Sequence, residues 1–183
     1  MGRIHSTGGF WLLVGALLLA APLSLMVWFL LACAVHELGH FLAIRFLGGR
    51  IEEFRLTGLG AVMTPRGMFG YREECLIALA GPAASLILAL LAAPFSQTLA
   101  GLSLVLGLFN LLPLGPLDGG RVLGAVVSRL AGPDQGEGVC RLADRVTALV
   151  MAGAGLWLVL HGGSFTLLLF ALGFALMETK ASL

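Results

Sequence analysis

Long apolar stretches separated by short polar segments make up most of the chain. About 20 apolar residues suffice to cross a bilayer as a helix, and the run from Gly8 to Leu47 is about twice that long. Pro22 lets this run turn, which predicts a short first helix and a second from about Ser24 to Leu47. Four more spans are predicted at about Glu74 to Ala93, Leu99 to Leu112, Val146 to Leu160 and Phe165 to Met177. The pattern therefore predicts an all-α polytopic membrane protein with about six transmembrane helices.

One polar segment between these spans predicts strand instead of helix. Residues 49 to 71 hold five glycines and a proline, which break helical periodicity, and Ile51 to Met63 has a strand-like composition. A loop and a small membrane-associated β-hairpin both fit this segment. A hairpin would leave a strand edge that can pair with an extended peptide.

The composition supports a membrane protein and removes one class of partner. The chain is 58% hydrophobic and 11% charged, against about 25% charged residues in an ordinary soluble domain. Its formal net charge is +1 and its basic residues form no cluster. We therefore expect the lipid bilayer as its surroundings and no nucleic acid as a partner.

The positions of the basic residues predict how the six helices are oriented. Lys and Arg gather in the cytoplasmic loops of membrane proteins. All eleven lie in regions that six crossings place on one side: the N-terminus, Arg45 to Arg72, Arg121 to Arg145 and the C-terminus. We expect a multi-pass protein of the cell membrane with both termini in the cytoplasm, and a single domain over residues 1–183.

Three ionisable residues inside the second predicted helix need a compensating role. His36, Glu37 and His40 lie within five positions, and an ionisable group at bilayer depth costs about 2.5 to 3.5 kcal/mol. The imidazoles are one turn apart, so they leave the same helix face and can share one tetrahedral zinc ion. Glu37 lies about 100° round the helix from His36, which suits a base acting on water beside the zinc. A chance match to H-E-x-x-H is the alternative.

A third ligand must come from elsewhere, because a catalytic zinc usually has three protein ligands. Asp118 is the candidate, since it follows an apolar helix in NLLPLGPLDGG, where two prolines interrupt helical hydrogen bonding and the pair Gly119 and Gly120 permits unusual dihedrals. Unwound backbone at membrane depth is tolerated where it lines a cavity. This stretch lies on the same predicted side as His36 and His40. An Asp that caps the next helix is the alternative.

The other polar residues carry weaker arguments. Asn110 lies two turns before Asp118 and could donate a hydrogen bond to a substrate carbonyl, with an interhelical hydrogen bond as the alternative. Gly39 leaves room for another backbone to approach. The remaining acidic residues of the polar segments are expected to be solvated: Glu52, Glu53, Glu73, Glu74, Asp134, Glu137 and Asp144.

HELGH followed about seventy residues later by NLLPLGPLDGG resembles the site-2 protease family of intramembrane zinc metalloproteases, peptidase family M50. The likeness is greatest to the compact six-helix type, such as the sporulation protease that activates a membrane-bound precursor sigma factor. It implies one zinc ion per chain, held by His36, His40 and Asp118, with Glu37 as the base. It also implies hydrolysis of a peptide bond in or beside a substrate's transmembrane segment, and a substrate-holding hairpin at residues 50 to 64.

Two departures from the family pattern bear on substrate choice. The common G-P-x-x-N of the third core helix is GPAAS here, which puts Ser85 at the amide position. No PDZ-like or CBS domain is expected. The expected partners are a membrane protein substrate with an extended or unwound segment and a regulatory membrane protein. Substrate selection is then expected to depend on the six helices or on that regulatory protein.

Two other functions stay open on the sequence. A membrane zincin of the CAAX-processing or heat-shock type would take a glutamate ligand from a later helix, and the predicted spans Leu99 to Leu112 and Val146 to Leu160 contain none. A non-enzymatic ion relay or transporter could use His36, Glu37 and Asp118 instead. Zinc content and cleavage of a single-span substrate distinguish that relay from a protease.

Overall fold

Apolar helices account for most of the described chain. The computed structural model describes residues 3–6, 8, 15, 22–57 and 60–162, and the chain divides into two units, Met1–Leu112 and Pro113–Leu183. The first unit contains the helices α1 (Leu23–Phe46), α2 (Tyr71–Ala92) and α3 (Gln97–Asn110), and the strands β1 (Arg3–Ser6), β2 (Arg50–Thr57) and β3 (Gly60–Arg66). The second contains α4 (Asp118–Ala131) and α5 (Pro133–Leu160).

Small side chains bring the three helices of the first unit together. α1, α2 and α3 contact one another in every pairing. Ala32 of α1, Ala92 of α2 and Leu99 of α3 form one buried cluster. Small residues at a helix interface let backbones approach closely, and apart from Ile77 the buried positions of α2 are all small or proline: Ala78, Gly81, Pro82, Ser85, Ala89 and Ala92.

The polar segment after α1 folds as a β-hairpin, as one of the two sequence interpretations predicted. Gly48 has φ of 79° and turns the chain out of α1 toward β2, a backbone conformation that suits glycine. β2 and β3 pair antiparallel with an irregularity between Ile51 and Glu53. The hairpin interpretation is therefore confirmed, and the loop interpretation is wrong.

A third strand joins the hairpin without having been predicted. β1 pairs parallel with β2, from Arg3 opposite Glu53 to Ser6 opposite Leu56, so the strand order is β1, β2, β3. A four-residue strand is too short to show periodicity, which explains why the sequence pattern does not reveal it. Among the described residues, β3 carries no strand on its outer edge.

The second unit is more helical than expected. The predicted polar segment from Arg121 to Arg145 forms α4 and the first half of α5. Gly132, with φ of 101°, separates these two helices, and Pro133 occupies the first turn of α5, where its missing N–H removes no helical hydrogen bond. α4 and α5 pack against each other.

The count of six transmembrane helices is not confirmed. In the described part of the chain, three helices are long and apolar enough to cross a membrane, namely α1, α2 and α5. The predicted fourth span corresponds to α3, which has 14 residues and is therefore about 21 Å long, against about 30 Å of bilayer hydrocarbon. The short first helix and the span from Phe165 to Met177 fall outside the described residues.

Candidate metal centre and active site

The two histidines of H-E-x-x-H lie side by side on α1. His36 and His40 are both buried, and their rings meet edge to face with centroids 4.9 Å apart. The two Nε2 atoms are 3.2 Å apart. One turn of helix separates the residues, so the backbone alone brings both imidazoles to one face. The predicted pairing of the two rings is confirmed.

The outer nitrogen of each ring has a partner on α2. His40 Nδ1 lies 2.7 Å from the carbonyl oxygen of Ile77, and His36 Nδ1 lies 2.9 Å from Ser85 Oγ. A carbonyl oxygen only accepts, so His40 Nδ1 carries the proton and donates it, which leaves a lone pair on Nε2 when the ring is neutral. Metal-bound histidines have this arrangement, in which the other ring nitrogen donates to the protein.

Two glycines allow α2 to lie directly against the histidines. A Cβ on Gly39 would overlap the carbonyl oxygen of Ala80 and come within 2.8 Å of Ala84 Cβ. A Cβ on Gly81 would overlap the imidazole of His40. The predicted approach of another backbone at Gly39 is therefore confirmed, and Gly81 makes equivalent room on the other helix.

Asp118 lies where an irregular stretch gives way to α4. The residues from 111 to 117 are not helical, which confirms the predicted unwinding. Asp118 is buried and is the first residue of α4, with Leu117 as the N-cap and no side-chain cap hydrogen bond. Its Oδ1 lies 3.7 Å from Arg121 Nη1. A carboxylate in the first turn also interacts favourably with the helix dipole.

Two contacts shape the stretch before Asp118, and neither depends on unusual glycine dihedrals. Leu117 N donates to Leu114 O at 2.8 Å, and Gly115 N donates to Asp144 Oδ1 at 2.6 Å. In the described chain positive φ occurs at other glycines, not at the pair 119 and 120, so that part of the expectation is wrong. Gly120 is needed for space instead, because a Cβ there would overlap the carbonyl of Leu114.

The three predicted ligands are residues of two units. His36 and His40 belong to the first unit and Asp118 to the second, and all three side chains are buried. Glu37 follows His36 on α1 and is half-buried. Asn110 ends α3, is half-buried, and donates from Nδ2 to Leu106 O at 2.9 Å. In this structure its amide therefore bonds within its own helix.

Sequence reasoning missed the supporting residues. The sequence marks Ser85 only as a departure from a family motif, and it predicts a solvated carboxylate for Asp144. The carbonyl of Ile77 has no side-chain signal at all. Three of the other acidic residues that were expected to be solvated form ion pairs: Glu53 with Arg55, Glu52 with Arg66 and Glu137 with Arg141.

The chain is similar in sequence to proteins named as zinc metalloproteases. The family model described as Peptidase family M50 matches residues 92–154. Rip3 of Mycobacterium tuberculosis, a zinc metalloprotease by name, is 35% identical over 182 residues, which cover 86% of this chain and 44% of that protein. A zinc metalloprotease of Methanocaldococcus jannaschii is 31% identical over 145 residues, covering 72% of this chain and 42% of the relative. The chain thus spans less than half the length of these curated relatives.

The fold comparison agrees with the sequence comparisons. The site-2 protease from Methanocaldococcus jannaschii superposes with a TM-score of 0.73 and 26% sequence identity, and the match covers 95% of this chain and 88% of that one. The chain belongs to the site-2 protease family. In this site-2 protease family member, α1 carries the H-E-x-x-H motif and the stretch before α4 carries the second motif.

Proposed function

We propose that this chain is an intramembrane zinc endopeptidase that cleaves a membrane-spanning or membrane-associated protein. The observation that carries the proposal is the pair of buried imidazoles with Nε2 atoms 3.2 Å apart, each held through Nδ1. His36, His40 and Asp118 are the proposed ligands of one zinc ion per chain, and all three side chains are buried. The relatives named as zinc metalloproteases support the choice of metal.

The donor set fits zinc. Two nitrogens bound at 2.0–2.1 Å with a tetrahedral angle between them lie about 3.3 Å apart, and the two Nε2 atoms are 3.2 Å apart. Two imidazoles and a carboxylate leave a fourth position open, as in catalytic zinc sites.

The proposed reaction is hydrolysis of a peptide bond with Glu37 as general base. When bound, zinc supplies Lewis acidity, which lowers the pKa of water to about 7 and polarises a carbonyl. The carboxylate of Glu37 takes a proton from the attacking water and delivers it to the leaving amide nitrogen. The carbonyl oxygen of Ile77 accepts from His40 Nδ1 and Ser85 Oγ lies beside His36 Nδ1, so α2 fixes the orientation of both rings.

Substrate binding is assigned to β3 and Asn110. Helical carbonyls are already hydrogen bonded, so a substrate segment must unwind before it is cleaved, and pairing to a strand edge holds such a segment extended. The outer edge of β3 is available for this in the described part of the sheet. Asn110 uses one amide hydrogen for Leu106 O, which leaves the second to donate to a substrate carbonyl.

The experiment that tests the proposal measures zinc and cleavage in the same preparation. The purified chain is expected to contain about one zinc and to cleave a reporter protein with one membrane span. Glu37→Gln should keep the zinc and lose activity by about 10²–10⁴-fold, the usual contribution of a general base. Glu74→Gln, the same change at an exposed glutamate of α2, is the control and should cleave like the parent.

The outcomes separate the protease from an ion relay. Cleavage that persists in Glu37→Gln would contradict the role of Glu37. Absence of zinc from the parent would contradict the metal site, and zinc binding without cleavage of any single-span reporter would favour the relay.

A further inference from the structure

We propose that Ser85 is a positioning residue for the metal site, and that its hydroxyl orients His36 so that Nε2 faces the ion. The inference rests on the proposed function in one respect, that His36 is a metal ligand. It concerns a residue that would touch neither the zinc nor the substrate. Its consequence is that zinc affinity depends on a hydroxyl group of α2.

The contact between Ser85 and His36 is buried and long-range. Ser85 Oγ lies 2.9 Å from His36 Nδ1, although the residues are 49 positions apart. Ser85 is 0% exposed and His36 is 4% exposed. A buried hydrogen bond of this kind is shielded from competing water, so it restricts rotation of the ring about χ2. With the lone pair of Nε2 directed at an ion, a neutral ring carries its proton on Nδ1 and donates it to Ser85 Oγ.

One face of α2 holds both histidines. Ile77, Gly81 and Ser85 are spaced at four-residue intervals, so they lie along one side of the helix. Ile77 O binds His40, Gly81 makes room for the His40 ring, and Ser85 binds His36. The Nδ1 partners of both histidines therefore lie on a single helix that can be altered without touching α1.

The site suits a small hydroxyl residue. A Cβ on Gly107 of α3 would lie 3.1 Å from Ser85 Cβ, so α3 passes close to this side chain. Serine supplies an oxygen for His36 within the limited space between α2 and α3. The substitution Ser85→Ala removes only that oxygen, so it removes the hydrogen bond to His36 with little change in packing.

The chain offers a matched control for this substitution. Ser103 of α3 is also 0% exposed, and within the described structure its Oγ has no hydrogen-bond partner. Ser103→Ala therefore removes an equally buried hydroxyl that holds no ring. Both variants would be purified in detergent, freed of metal and compared with the parent.

The experiment measures zinc affinity by competition with a chelating dye and the visible spectrum of the Co²⁺-loaded protein. Ser85→Ala should bind zinc about 10- to 100-fold more weakly, as is typical when the outer partner of a ligand is lost. Its cobalt absorption bands should shift because the ligand geometry changes. Ser103→Ala should match the parent in both measurements.

Thermal unfolding of the metal-free proteins separates positioning from folding. Metal-free Ser85→Ala and Ser103→Ala should unfold at similar temperatures, while added zinc should stabilise Ser85→Ala less than the parent, because the stabilisation depends on affinity. Equal zinc affinity and equal cobalt spectra in Ser85→Ala and the parent would overturn the inference and leave the proposed function intact. Equal losses in both serine variants would also overturn it. A parent that binds no zinc would overturn the proposed function itself.

Discussion

At the scale of single residues, the candidate site depends on polar groups that are held by partners distant in the sequence. Each imidazole of α1 has a hydrogen-bond partner on α2 for its Nδ1 atom. The partner is Ile77 O for His40 and Ser85 Oγ for His36. In the second unit, the stretch that leads to Asp118 is held by a carboxylate of α5. A polar group buried among apolar helices is costly unless it is hydrogen bonded, so these contacts keep the site in one arrangement.

Asp144→Ala tests the contact in the second unit. The substitution removes the acceptor for Gly115 N, and we expect a loss of about 1–2 kcal/mol in the free energy of unfolding, as for a partly exposed hydrogen bond to a charged group. Because Gly115 lies three residues before Asp118, zinc affinity should also fall. Thermal unfolding and dye competition measure the two effects.

Glu137→Ala is the control for Asp144→Ala. It removes an exposed ion pair with Arg141 on the same helix, and exposed pairs contribute little. If Asp144→Ala and Glu137→Ala have the same zinc affinity, the hydrogen bond to Gly115 does not help to position Asp118.

At the scale of elements, the contact between α1 and α2 determines whether the histidines reach their partners. Gly39 of α1 lies against Ala80 and Ala84 of α2 without room for a Cβ. The antiparallel hairpin forms the second functional element, because its outer strand β3 has an unpaired edge in the described sheet. Each element supports its own prediction.

Gly39→Ala should separate α1 from α2. The added Cβ overlaps a backbone oxygen, and overpacking of this kind costs about 1–3 kcal/mol. Zinc affinity should fall with stability, since the partners of His36 and His40 lie on α2. Gly101→Ala in α3, where a Cβ meets nothing within 4 Å, is the control and should be neutral or slightly stabilising. A Gly39→Ala protein as stable as Gly101→Ala would argue against close packing here.

The edge of β3 predicts where a substrate can be cross-linked. A reporter with a cysteine beside its cleavage site, bound to the Glu37→Gln protein, should form a disulfide with Thr64→Cys of β3. It should not do so with Glu52→Cys of β2. Adjacent strands place Cα atoms about 4.5–5.5 Å apart, within disulfide reach, whereas the next strand over is about 10 Å away. Both positions are exposed, and preferential capture by Glu52→Cys would exclude strand addition at β3.

At the scale of the whole molecule, the chain is a membrane protein of the site-2 protease family with three helices in the described residues long enough to span a bilayer. The distribution of its eleven Lys and Arg residues supports the proposal that both termini, the hairpin and the segment from Arg121 to Arg145 are cytoplasmic. This orientation would also place the candidate active site toward the cytoplasm.

Labelling intact cells with a membrane-impermeant maleimide tests this orientation. Gln97→Cys, in the predicted outer loop, should react in intact cells, and Arg50→Cys should react only after the membrane is permeabilised. The parent, whose three cysteines are half-buried thiols, measures the background. The reverse labelling pattern would show that the chain is inserted the other way round.

Features governed by local rules could be predicted, and features governed by long-range packing could not. H-E-x-x-H predicted the two rings on one face of α1, and the prolines before Asp118 predicted a non-helical stretch, since both follow from backbone geometry. The predicted number of spans is not confirmed in the described part, where α3, although apolar, has only 14 residues. β1 was missed because its pairing with β2 joins segments about 50 residues apart.

The sequence by itself determined the family, the helical membrane class, the hairpin as one of two alternatives, and the candidate metal residues His36, His40 and Asp118. These depend on residue type and short spacing, which act within a turn or two of helix. Only the tertiary structure decided that Ser85 and Ile77 hold the imidazoles, that Gly39 and Gly81 admit α2, and that Asp144 binds Gly115. Those contacts join residues 29 to 49 positions apart or lie between helices, so they exist only once whole helices have packed against each other.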